Sequence, residues 1–273
     1  MEACTPGSDG HVDNFTVMFK VRDAKGEQLG RRQNCAAVLL ATGSLPAGRR
    51  LAQQLGHSLT KPVPSLFSLR LEPSILDGLA GMTLTDVRIT LAPAGEVNGC
   101  SQPSGKREGA GSVAATVAAR AASQRGPLLV THRGVSGPAV LRLSAYAARE
   151  LKDMGYTGTL LLNLLPDLKT TEVAAELARA RQQHPRKQVH SHCPFPSAAV
   201  PKRLWAAIVT AAGLHEAVRW GQLSKVDAGR LIAFLVTSML PFTGKDTNKE
   251  EFVTAGGVVL AEVVREISGV CHI

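Results

Sequence analysis

Leu129-Val130-Thr131-His132-Arg133-Gly134-Val135-Ser136-Gly137-Pro138 reads as a strand end, a small-residue turn and a helix start. Pro127 to Thr131 is short and apolar, as a buried strand is. Pro138 suits the first helical position, and Ser136 or Gly137 suits the cap before it. A helix is expected from there to about Lys152. Its free N–H groups and positive dipole end would face the turn and favour an anion or carbonyl placed there. His132 and Ser136 could sit beside such a group and are the candidate catalytic side chains, on a loop that also holds Thr131, Gly134 and Gly137. The plain alternative is a capped helix carrying a surface histidine. A nucleophilic Ser136 fits poorly: the elbow pattern G-x-S-x-G meets Pro138 in its fifth place, and no acid or His partner stands at a supporting spacing.

Toward the N-terminus, Phe15, Val17, Phe19 and Val21 alternate with polar residues, which is strand period. The turn Asp23 to Gly26 and a second strand through Gln28 to Arg32 complete a hairpin. Ala36 to Ala41 is a continuous apolar run ending in Thr42-Gly43-Ser44. It reads as a buried, parallel strand whose small-residue end is where α/β sheets place ligands. A helix follows over Ala47 to Leu55, closed by Gly56. Pro62 to Leu71 and Thr83 to Leu91 read as strands around the turn-rich Glu72 to Gly81, and 93–126 as a low-complexity loop with an Ala-rich helix at Val113 to Ala122.

Toward the C-terminus, Thr159 to Leu165 reads as a strand. Thr170 to Gln183, Pro201 to Ala212 and Asp227 to Leu240 read as helices. Phe252 to Val258 is a strand entering a double-glycine turn. The glycine turns Ala41-Thr42-Gly43 and Thr254-Ala255-Gly256-Gly257 would let two backbone segments approach one flat ligand, since glycine has no Cβ.

Composition narrows the function classes. Hydrophobic residues make up 44% and charged residues 19% of the 273, which excludes a wholly disordered chain. Five cysteines without a C-x-x-C pair exclude a small disulfide scaffold and suit free thiols in a soluble reducing compartment, cytoplasm or plastid. The longest apolar run, Leu231 to Leu240, falls far short of the about 20 residues a bilayer needs. The formal net charge is +9, yet aromatics are only 4%. Base-stacking surfaces need aromatics on a basic face, so nucleic acid is disfavoured as a partner. Clustering of Arg on one face would reverse that reading. His184, His190, His192 and Cys193 lie close together, but Pro185, Pro194 and Pro196 break the segment and no second ligand group follows; no metal is expected. Gly109 to Ala114 satisfies G-x-G-x-x-G/A only formally, with a polar run where a strand is required.

Three stretches together resemble a family. Val38 to Gly43 with Leu51-Ala52-x-x-Leu55-Gly56-His57 and Pro62 to Leu66 is the first. Leu129 to Ala145 is the most specific, and Phe252 to Val258 with Glu262-Val263 is the third. Their order and spacing are similar to the aminoacetone-oxidase-like (YhiN/BaiN-type) flavoproteins, and the short segment after Gly43 resembles the plant and cyanobacterial branch. The resemblance implies an α/β fold: a remnant of an FAD-binding Rossmann-type domain with a large inserted α/β domain. On that map 1–61 is a partial FAD-domain segment, 62–246 the inserted domain and 247–273 a partial return. FAD is the implied cofactor, against Ala41, Thr42, Gly43, Thr254, Ala255, Gly256 and Gly257. The implied activity is FAD-dependent oxidation and reduction of an unspecified small molecule. The family's opening G-x-G-x-x-G segment and its closing flavin strand have no match here, so a truncated, inactive form is expected. The alternative is a non-catalytic binding protein derived from the inserted domain.

Overall fold

Six strands between Ser68 and Asp246 close on themselves. The structure is a computed structural model, and it describes residues 15–22, 28–92, 123–246 and 253–263. The chain divides into two units, Met1–Val63 with Phe252–Ile273, and Pro64–Glu251.

In the larger unit the strands are β4 (Ser68–Leu71), β5 (Thr83–Leu91), β6 (Ser123–Val130), β7 (Gly134–Ser136), β8 (Gly158–Asn163) and β9 (Ser238–Asp246). They form a closed barrel in the order β4-β7-β6-β5-β8-β9, with every pairing antiparallel. Closure removes the exposed edges a sheet otherwise presents. Alternate side chains fill the inside: Leu84, Val87 and Ile89 on β5, Leu160 and Leu162 on β8, and Leu240 and Phe242 on β9 are all buried. The step of three from Leu84 to Val87 breaks strand period because the β5–β6 register shifts there; the strand bulges and then resumes its alternation.

Five α-helices belong to this unit among the described residues. They are α2 (Pro138–Tyr146), α3 (Ala148–Asp153), α4 (Thr170–Gln183), α5 (Lys202–Ala211) and α6 (Lys225–Val236). Val173, Leu177 and Ala180 of α4 pack with Leu204, Trp205 and Ile208 of α5 and Leu231 and Leu235 of α6 in one apolar core shared with the barrel. Ser224 caps α6 by accepting from the Asp227 N–H at 3.0 Å.

The smaller unit holds the hairpin β1 (Phe15–Arg22) and β2 (Gln28–Cys35), paired from Phe15↔Cys35 to Arg22↔Gln28. The helix α1 (Pro46–Gln54) follows. The short strands β3 (Val63–Pro64) and β10 (Thr254–Ala255) pair with each other. The Glu262 carboxylate accepts from the Ser58 N–H at 3.1 Å and lies 3.1 Å from His57 Nδ1, which holds its own pKa below the usual carboxylate value.

Several expectations are corrected. The larger unit mixes strands and helices as the α/β expectation had it, but its strands close into an antiparallel barrel. Ala36 to Ala41 forms no strand, and Leu39 is 88% exposed; a run apolar on both faces needs a paired neighbour on each side, and none pairs with it among the described residues. Nothing described therefore shows a Rossmann sheet. The expected helix from Asp227 to Leu240 stops at Val236, because Ser238, Leu240 and Phe242 take strand period in β9. The expected helix to Lys152 breaks into two at Ala147. β6 begins at Ser123, inside the expected loop. The expected helix at Val113 to Ala122, with the rest of 93–122, lies outside the described residues, as does Phe252.

Candidate functional site: a cavity at the barrel end

The turn joining β6 to β7 is built by its threonine. Thr131 Oγ1 accepts from the Gly134 N–H at 3.1 Å, and the Thr131 N–H donates to the Gly134 carbonyl at 2.8 Å. This small closed turn pushes His132 and Arg133 into solvent. Gly134 is required for close approach, since a Cβ there would collide with the Leu69 carbonyl oxygen across the strand pair. Gly137 is required for conformation: its φ is +95°, and a Cβ would stand 2.8 Å from the Leu129 nitrogen.

Beside this turn runs the β4–β5 connection. The Leu71 N–H donates to the Arg133 carbonyl at 3.0 Å and the Gly81 N–H to the Val130 carbonyl at 2.9 Å. Between these two ties, Glu72 to Ala80 bows outward and leaves an open cavity of about 880 Å³. Arg70, Glu72, Asp77, His132 and Arg133 supply its charged or titratable groups, and Leu71, Leu76 and Val130 its apolar ones. Arg133 reaches Asp246 of β9, with 3.5 Å between guanidinium and carboxylate. The size suits a small-molecule or nucleotide-sized ligand.

The structure thus brings Thr131, His132 and Gly134 of the expected residues into one cavity. Ser136 and Gly137 are not among its lining residues. Ser136 lies in β7, and its hydroxyl accepts from the Ser68 hydroxyl at 2.7 Å. The first residues of α2 do not line the cavity either, because β7 stands between turn and helix. Arg70 and the Glu72–Ala80 bow were not singled out from sequence. Only the pairing of β4 with β7 shows that they face the Thr131 turn.

The residues expected at FAD lie in the smaller unit. Thr42 is half-buried, and its hydroxyl packs against Gly48 of α1. Ala41 and Gly43 are exposed, and Thr254 and Ala255 form β10. A Cβ at Gly43 or Gly257 would meet open space, but one at Gly256 would stand 3.0–3.1 Å from the Thr60–Pro62 backbone. The Gly257 carbonyl accepts from the Thr60 N–H at 2.8 Å. A cleft of about 300 Å³ in this unit is lined by Arg49, Arg50, Lys61 and their neighbours and by none of the seven expected residues. The described residues therefore offer an open wall and do not by themselves fit a dinucleotide.

The histidine-rich segment makes a ring cluster. His184 and His192 meet edge to face at 4.6 Å, and burial pushes the Cys193 thiol up to about 11, away from the thiolate a metal needs. Among the described residues no group of three or more His, Cys, Asp or Glu is placed to hold a metal. No helix among them is long and apolar enough to cross a membrane.

Comparison with known proteins places this geometry. The model of the HI0933-like protein barrel and H2TH domain matches residues 108–253, which takes in four barrel strands and the five described α-helices of the larger unit. The chain belongs to this family. The family is associated with flavin-dependent proteins. A ribosomal RNA dihydrouridine synthase of Escherichia coli (strain K12) is 26% identical over 270 residues, covering 94% of this chain and 58% of that protein. One of the same name from Haemophilus influenzae is 26% identical over 234 residues, covering 82% and 48%. The chain spans about half the length of these curated relatives.

Proposed function

We propose that this chain carries the substrate-handling barrel of a flavin-dependent oxidoreductase that reduces a uridine ring in ribosomal RNA. The observation that carries the reading is the barrel-end cavity with Arg70, His132 and Arg133 on its wall. The family and the name shared by the two relatives support the substrate class. Converting uridine to dihydrouridine adds one hydrogen at each carbon of the ring's C5–C6 double bond, two electrons and two protons in all. Bound flavin would supply the electrons. Because the described residues do not complete a cradle for FAD, no step is derived through it.

The chain's own residues have distinct tasks in this reading. Arg70 and Arg133 present planar guanidinium groups for the phosphates flanking the base. Leu71 and Leu76 give the flat ring an apolar wall. His132 offers a ring nitrogen at the cavity wall as the group that passes a proton to the ring.

The test is complementation. An E. coli strain lacking its ribosomal RNA dihydrouridine synthase would express this chain, and dihydrouridine in ribosomal RNA would be measured by mass spectrometry. Restored dihydrouridine, lost again with His132→Ala, is the expected result. A folded chain that restores none overturns the reading. FAD titration of the purified chain reads the cofactor separately: saturable fluorescence quenching with a raised Tm shows binding.

A second reading is a non-catalytic binding protein. The open wall in the smaller unit favours it, set beside a barrel that is complete in the larger one. A folded chain with no FAD response and no dihydrouridine would support it.

A further inference from the structure

The helical part of the larger unit carries a second charged feature. Pro185 to Val189 and Val218 to Gly221 run antiparallel as a short ribbon. The Val189 N–H donates to the Val218 carbonyl, the Trp220 N–H to the Lys187 carbonyl and the Gly221 N–H to the Pro185 carbonyl, each at 2.9 Å. Gln188 bridges Arg219. This register sets Arg186, Lys187 and Arg219 within two residues of a single bridge. All three are exposed, and none joins an ion pair among the described residues. By contrast Arg125, Arg133, Arg179 and Arg230 each face a carboxylate. Arg181, exposed in the last turn of α4, adds a fourth cation on a helix that packs against Trp220–Gln222. The nearest carboxylate along either segment is Glu216.

The backbone beneath these cations is locked. Val189 and Trp220 are fully buried. Trp220 stacks on Trp205 with ring centroids 6.3 Å apart, and Trp205 Nε1 donates to the Val189 carbonyl at 2.7 Å. A rigid ribbon presenting unpaired cations spends little ordering entropy on a multiply charged anion. Both tryptophans are inside, so the ribbon offers charge and no stacking surface.

We infer that this ribbon docks the phosphate backbone of RNA, apart from the base handled at the barrel end. The choice of RNA as the polyanion rests on the function proposed above. With no aromatic face and no base-reading carboxylate, recognition is of phosphates and independent of sequence.

The test is fluorescence anisotropy of labelled 20-nucleotide oligouridine, and of a mixed-sequence RNA of equal length, from 50 to 200 mM KCl. The variant Arg186→Gln, Lys187→Gln, Arg219→Gln is compared with Arg88→Gln, Arg149→Gln, Lys152→Gln. The control removes the same charge elsewhere, from exposed Arg88 and Arg149 and half-buried Lys152, and circular dichroism checks both folds. The ribbon variant should lose about tenfold or more in affinity for both RNAs, with a salt slope lower by about 2 for three lost contacts on a single strand. The control should stay within about twofold of the parent. Equal losses in both variants, or none in the ribbon variant, would overturn the proposal. So would tighter binding of poly-glutamate than of RNA at equal charge, which would mark an acidic protein surface as the occupant. Docking that survives while complementation fails separates this inference from the proposed reduction.

Discussion

His192 sits under the basic ribbon in contact with two other rings, His184 at 4.6 Å and Trp220 at 6.4 Å. Its Nδ1 and the Trp220 Nε1 are buried, and neither has a hydrogen-bond partner. Burial first, then the charges of Lys187 and His184, lowers the His192 pKa from its ordinary 6.5. The native imidazole is therefore neutral where an unfolded one begins to charge, so the unfolded state binds more protons as pH falls through 6.5. Stability then rises with pH across that window and is lost on acidification. The chain should be less stable at pH 5.5 than at pH 7.5 in urea unfolding, and His192→Gln should remove part of that slope. An unchanged slope would mean that other groups set the pH dependence.

The barrel makes a sharper demand on its inward positions than on its outward ones. Leu162 points inward on β8 and is fully buried, while Met239 on the neighbouring strand is 55% exposed. Leu162→Ala should cost about 2–5 kcal/mol, and Met239→Ala about 0.5 kcal/mol or less, read as shifts in the urea midpoint. The same contrast explains what the sequence revealed. Helical period placed Thr170 to Gln183 to the residue, and strand period placed Thr83 to Leu91, because each element buries one face and polar residues mark the other. Ala36 to Ala41 misled because period cannot say whether a neighbouring strand exists to cover an apolar run. Barrel closure was equally invisible, since it rests on β4 pairing at long range with β7 through two residues and with β9 through four. The Thr131 turn was legible as a turn from its own residues. Its opposite wall, Arg70 to Ala80, reads locally as turn chemistry and becomes a wall only once the barrel sets it there.

At the scale of the molecule, apolar burial is unevenly shared. Among the described residues, every buried hydrophobic one except Ala52 and Val63 lies between Phe67 and Phe242, inside the Pro64–Glu251 unit. A fragment of residues 64–251 should therefore fold alone and unfold in one cooperative thermal transition, close to the main transition of the whole chain in calorimetry. A fragment that melts without a heat-absorption peak would show that the core needs residues from the smaller unit. The barrel also has a birth order. β4 emerges from the ribosome early, yet one of its two partners is β9, the last barrel strand made. At 5–20 residues per second, on the order of 10–40 s separates the emergence of Ser68 from that of Asp246. For that interval Leu69, Leu84 and Ile89 have no finished interior to enter, so the nascent chain is a natural client for a holding chaperone until translation reaches its closing strand.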